Sequence, residues 1–97
     1  MATQFGDRLR QLREQQNLLL RQVAPQLEMD TPLLSKIERG ERIAKKELVG
    51  KLADILKADK EELLTLWLAD QVYNVIKDEA HADEALKSVS KKIKKTK

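Results

Sequence analysis

Residues 24–40, APQLEMDTPLLSKIERG, decide how this chain is read. Asp30 is a strong helix N-cap: its carboxylate can accept from a backbone N–H two or three residues on, and its charge suits the positive end of a helix. Thr31 and Pro32 then fill the first two helical positions, where a missing proline N–H costs nothing. Leu34 and Ile37 give a buried stripe, Gly40 stops the helix, and Thr31, Pro32, Ser35, Lys36 and Arg39 are left on the outer side. Just upstream, Val23, Ala24 and Leu27 line the inner face of a shorter helix. Pro25 lies inside it, where an interior proline costs about 3 kcal/mol, so a kink or a single regular turn is expected. Glu28 and Met29 form the corner between the two helices, and the second helix projects from it.

Working outward, Phe5, Leu9 and Leu12 recur at i, i+4 and i+7 among charged residues, which predicts an amphipathic helix over 4–16. Asn17 follows at the position where a helix ends in the left-handed conformation, and Leu18–Leu20 form an apolar entry to the short helix. On the other side, ERIAKK at 41–46 reads as a basic loop. A fourth helix over 46–57 turns Val49, Leu52, Ala53 and Leu56 inward. Asp59 caps a fifth over 60–79 that carries two apolar stripes, Leu63, Leu66 and Trp67 on one side and Leu64, Leu68, Val72, Val75 and Ile76 on another. A helix with two apolar faces needs two things to bury them against. Leu86, Val89 and Ile93 mark a sixth helix fraying into a solvated lysine tail.

Composition agrees with an all-α chain. With 41% apolar and 36% charged residues but only one Trp, one Tyr and one Phe among 97, the chain suits helices better than a sandwich or barrel. One domain of about 60 to 100 residues is affordable at this length, and cores of that size are often supplemented by self-association. There is no cysteine, which excludes disulfides, thiolate nucleophiles and thiolate zinc sites. The net charge of +3 is unevenly placed: residues 1–50 hold nine Lys/Arg and seven Asp/Glu, residues 51–90 five and nine, and residues 91–97 five lysines and no acid. Only part of the surface is therefore suited to an anionic partner. With no signal-like segment or membrane-length apolar run, a cytoplasmic, nucleoid-associated protein is expected.

Catalytic chemistry finds little to use. His81 is the single histidine and reads as exposed, so one chain holds no multi-histidine metal site. Glu61, Glu62, Asp78 and Glu79 read as helix-end and surface charges, without a nucleophile or glycine-rich phosphate loop beside them. No enzyme activity, cofactor, metal or small-molecule ligand is expected. Trp67 and Tyr73 sit in apolar helical patterns and read as core or interface residues.

LREQQNLLLRQVA, LLSKIERGER and KLADILKADKEEL together resemble the phage-repressor and Cro-like, or XRE, helix-turn-helix proteins over about residues 5–68, with SKIERG at Ser35–Gly40 the most specific part. The resemblance implies a five-helix repressor-like helix-turn-helix domain with a helical C-terminal extension, and double-stranded DNA as partner. It implies that the third helix reads the major groove, with Thr31, Pro32, Leu33, Ser35 and Lys36 as the base-reading set. Lys36 is suited to guanine O6 and N7, and Thr31 with the apolar edge of Pro32 or Leu33 to a thymine methyl. It further implies an ion pair between Arg13 and Glu38, and phosphate contacts drawn from Arg13, Arg21, Arg39, Arg42, Lys45 and Lys46. Four positions depart from the family pattern: Leu19 and Leu20 replace the usual polar cap and Gln, Pro25 interrupts the first helix of the motif, and Ala44 stands where proline is frequent.

A single reading helix covers few base pairs, whereas two copies on a two-fold axis read two half-sites about one helical turn apart. The domain is expected to span 1–68 and the dimerising extension 69–97, with Leu68, Val72, Val75, Ile76, Leu86 and Val89 in a homodimer interface. Folding of helix six back over helix five is the intramolecular alternative. For Lys91, Lys92, Lys94, Lys95 and Lys97 three uses are open: a solvated tail, non-specific DNA affinity, or a basic helix lying on a membrane without an aromatic anchor. A homodimeric transcriptional regulator of a near-palindromic operator is the first expectation. A protein-interaction module, such as an antitoxin or a partner-binding adaptor that keeps the fold without operator binding, is the second.

Overall fold

The apolar spacings become six α-helices in the computed structural model, which describes residues 3–95: α1 (Gln4–Gln15), α2 (Leu20–Val23), α3 (Thr31–Glu38), α4 (Lys46–Ile55), α5 (Lys60–Ile76) and α6 (Ala82–Lys95). Pro25 limits α2 to its first turn, as the ring requires. The chain tightens after Val23 into a 3-10 turn, Ala24–Leu27, with Pro25 near its start, where no backbone donor is needed.

Four of these segments end in the same way. Asn17, Glu28, Gly40 and Lys57 adopt left-handed φ values of 57°, 56°, 78° and 54°. The residue after each sends its N–H back into the last turn: Leu18 to Arg13 O at 3.1 Å, Met29 to Ala24 O at 3.2 Å, Glu41 to Lys36 O at 2.8 Å and Ala58 to Ala53 O at 2.8 Å. These are Schellman closures, and only one of the four uses glycine. Asn17 and Gly40 announce themselves by residue type. Lys57 does not, and the helix expected to run to residue 57 stops at Ile55 because a left-handed residue cannot continue it. Similarly, α5 ends at Ile76, and residues 77–81 form turns without any glycine or proline.

The core is built from Phe5, Leu9 and Leu12 of α1, Val23, Ala24 and Leu27 of the bent helix, Leu34 and Ile37 of α3, Ala44, Val49, Leu52, Ala53 and Leu56 in and around α4, and Leu63 of α5. Leu64, Leu66 and Trp67 pack against it partly buried, and the Trp67 indole donates to Ala44 O at 2.8 Å. Beyond that point α5 leaves the core. Tyr73, expected in a core or interface, is exposed in the single chain, as are Leu68, Val72 and Val75. α6 buries none of its residues, so the intramolecular alternative, α6 folded back over α5, is not adopted. The helix also runs further than expected, to Lys95, so Lys91, Lys92, Lys94 and Lys95 stand on a helix and not on a frayed tail; Lys97 lies outside the described residues.

α1 is tied to the rest at its first turn. Thr3 Oγ1 accepts from Gly6 N at 2.9 Å, while the two carboxylate oxygens of Asp70 accept from Gln4 N at 3.0 Å and Phe5 N at 2.9 Å. Three of the four orphan donors of a helix N-terminus are thereby satisfied, and a carboxylate meets the positive helix end. Gly6 allows α1 to touch the end of α3: a Cβ there would lie 2.4 Å from Glu38 O and 2.8 Å from Ile37 O.

Candidate nucleic-acid interface

α3 is fixed at both ends by its own sequence. Asp30 Oδ1 accepts from Leu33 N at 2.8 Å, and the Gly40 closure satisfies the last carbonyls. Leu34, Ile37 and Glu38 point inward and are buried. Pro32, Lys36 and Arg39 are exposed, and Thr31 and Ser35 half-buried, so they form one accessible edge. Leu33 does not share that edge fully. It is half-buried, as Thr31 and Ser35 are, but packs on the core and lines a groove towards α4 with Met29, Ile43 and Leu48. A leucine beside two core positions is drawn inward by burial of apolar area.

The orientation of this edge depends on a clamp between α1 and α3. Arg13 Nε donates to Glu38 Oε2 at 2.8 Å and a terminal nitrogen to Oε1 at 3.0 Å, a bidentate fork, while the other terminal nitrogen donates to Leu18 O at 2.8 Å. The two side chains are only 11% and 6% exposed. The hydrogen bonds it donates to Glu38 hold the Arg13 guanidinium charged, raising its pKa above the ordinary arginine value. Burial opposes this, and attraction to Glu38 and Glu14 adds to it. With every nitrogen of its fork engaged inside the domain, Arg13 is not presented to a phosphate. The sequence places it in both roles, and geometry retains the structural one.

Residues 4–66 match the helix-turn-helix domain family. The chain belongs to that family. No curated protein and no solved structure matches it. In this helix-turn-helix domain, α2 and its 3-10 continuation are the first helix, Glu28–Asp30 the turn, and α3 the second helix. Domains of this kind bind DNA through the second helix, and they serve transcriptional regulation.

The bases around α3 differ in their freedom. Arg21, Arg39, Arg42, Lys45 and Lys46 are all exposed. Arg39 is held by Glu41 at 3.0 Å, in a pair open enough to water to be exchanged readily. Lys45 occupies the N-cap of α4 without making a side-chain cap, so the first N–H groups of α4 and two lysines share one corner beside the α3 loop. Sequence reading finds those lysines but misses the uncapped helix end, because Lys45 gives no cap signal to read. A positive helix end beside basic side chains is suited to anions. At the start of α2, Leu19 has no side-chain oxygen. Gln22 Oε1 accepts from Leu19 N at 2.7 Å and closes only half of a capping box.

Gly6 and Asp70, which sequence reading passes over, help to hold α3 against α1 and α1 against α5. Their signals are tertiary: a glycine near a helix start and an aspartate within a helix have no local reading that names a distant partner. Among the described residues no group of three or more His, Cys, Asp or Glu side chains is placed to hold a metal ion, and no helix is long and apolar enough to cross a membrane.

Proposed function

We propose that this helix-turn-helix protein is a sequence-specific transcriptional regulator, a repressor or autoregulator of XRE type. It occupies a near-palindromic operator as a homodimer through residues 1–68, with residues 69–97 as the dimerising extension. The observation that carries the reading is the fixed edge of α3: capped at Asp30, closed at Gly40 and clamped by Arg13, it turns Thr31, Pro32, Ser35 and Lys36 outward. Lys36 donates to guanine O6 and N7, and the methyl of Thr31 with the ring of Pro32 meets a thymine methyl. Arg21, Arg39, Arg42, Lys45 and Lys46 contact phosphate and set register. The exposed stripe of Leu68, Val72 and Val75, with Ile76 and with Leu86 and Val89 of α6, forms the interface between copies.

A second reading, a protein-interaction module that keeps the fold without operator binding, draws on Leu19. That residue is 45% exposed where a polar phosphate contact would be useful. Fluorescence-polarisation titrations against selected and random duplexes at several salt concentrations separate the two. The regulator binds its selected duplex at least about a thousandfold more tightly than random DNA. Binding without preference, or none, favours the interaction module.

A further inference from the structure

We infer that α6 pairs antiparallel with α6 of a second copy of this chain, in a register set by its own charge separation. The inference rests on the homodimer reading above and adds the direction and register of the contact. Ala82, Leu86, Val89 and Ile93 are spaced by four, three and four residues, the seam of a coiled coil. Leu86 and Val89 are 41% and 54% exposed, so the single chain leaves this seam to solvent. Leu68, Val72 and Val75 of α5 are spaced by four and three residues and are exposed as well, although residues 77–81 separate the two helices.

Charge identifies the partner. Residues 78–84 hold Asp78, Glu79, Asp83 and Glu84 and no Lys or Arg, while residues 85–95 hold five lysines and no acid. One intrahelical pair, Asp83 with Lys87 at 3.3 Å, uses a small part of this separation. Two such segments side by side in parallel place acid on acid and base on base. In antiparallel they place each acidic end on the other copy's basic end, so the segment is complementary to itself under a two-fold axis. Acid at the N-terminus and base at the C-terminus also favour an isolated helix, but that effect does not account for the apolar seam between them. Centring the pair between Lys87 and Ser88 sets Leu86 against Val89 of the second copy and Ala82 against its Ile93. Asp83 then lies beside Lys94 of the second copy, on the same flank of the seam, and this contact occurs twice.

The absence of cysteine makes the register directly testable. A full-length chain carrying Ala82→Cys and Ile93→Cys is oxidised without DNA and its disulfide-linked peptides are mapped. The expected product joins position 82 of one copy to position 93 of the other. Eleven residues of helix span roughly 16 Å, beyond the ~7 Å Cα separation a disulfide tolerates, so links within one α6 do not form. Links of 82 to 82 and 93 to 93 overturn the antiparallel register while leaving the homodimer reading intact. In parallel, sedimentation should show Lys94→Glu weakening the dimer on the order of tenfold, and Asp83→Lys in the same chain restoring it. A dimer indifferent to Lys94→Glu, or not restored by the second change, overturns the role of charge. Wild-type chain that sediments as a monomer at every concentration overturns this inference and the homodimer reading together. α6 buries none of its residues, and helical content measured by circular dichroism verifies that each variant is folded.

Discussion

Removing Glu38 tests whether the clamp on α3 is a structural element or an ordinary ion pair. Glu38→Ala leaves the Arg13 guanidinium, on an 11% exposed side chain, without its bidentate partner while Leu18 O still holds one nitrogen in place. Breaking a buried pair from one side costs about 3–5 kcal/mol. Because Arg13 retains a little contact with water, the lower end applies, about 3 kcal/mol. A chain of this length has roughly 5–15 kcal/mol of stability in all. The melting temperature should therefore fall by roughly 10–25 °C, at 4–8 °C per kcal/mol for a domain of this size. The molecule supplies its own control: Arg10 and Glu14 also pair, at 3.3 Å, but their side chains are 64% and 55% exposed. Glu14→Ala should cost at most about 1 kcal/mol.

Urea unfolding of wild type, Glu38→Ala, Glu14→Ala, Arg13→Met and the double variant Arg13→Met with Glu38→Leu makes the comparison at constant slope. The double variant should recover most of the loss, since no uncompensated charge is left inside. The pH dependence follows from the sign of the Arg13 shift. A pKa raised on folding stabilises at every pH below the unfolded value, and the contribution disappears only as pH rises through the folded one. The arginine's contribution should thus be flat between about pH 6 and about pH 9. A loss in Glu38→Ala no larger than in Glu14→Ala refutes the clamp.

Four further outcomes test other parts of the molecule. Gly6→Ala should destabilise by about 1–3 kcal/mol, because the new Cβ meets backbone oxygens of α3; Gly50→Ala, whose Cβ meets only the Lys60 side chain at 3.5 Å, should stabilise by about 0.5–1 kcal/mol. Opposite signs in thermal melts are the check. Lys36→Ala and Thr31→Ala should each lower operator preference by about 1–3 kcal/mol without changing affinity for random DNA, measured by competition binding; unchanged preference would misplace the reading edge. Removing Arg42, Lys45 or Lys46 should weaken binding to all sequences alike and reduce the slope of log affinity against log salt by about one for each. Aspartate at Val72 and Ile76 together should give a monomer by sedimentation, and a persistent dimer would move the interface elsewhere.

Most of the helix-turn-helix corner was legible from residue types, because local chemistry decides it. Asp30 caps, Pro32 tolerates the first turn, Gly40 accepts the left-handed φ, and Pro25 cannot remain inside an α-helix. These are interactions within a few residues, and sequence displays them directly. Lys57 and the break after Ile76 were not legible, since neither carries a glycine or proline. The turn at Lys57 lets α5 pack back against α4, whereas the break after Ile76 lies where α5 has already left the core.

The sequence by itself determined an all-α chain, the α2–turn–α3 corner and the residues free to face outward on α3. It did so because amphipathic period and capping are properties of neighbours along the chain. Tertiary structure alone decided that the whole Arg13 fork is engaged by Glu38 and Leu18 O, that Leu33 packs in part on the core, and that Gly6 and Asp70 set how α1 meets α3 and α5. It also decided that α6 stands clear of the core with its apolar seam exposed. Each of these depends on which surfaces meet across tens of residues of chain, where a side chain's partner is set by distance in space and not by its place in the sequence.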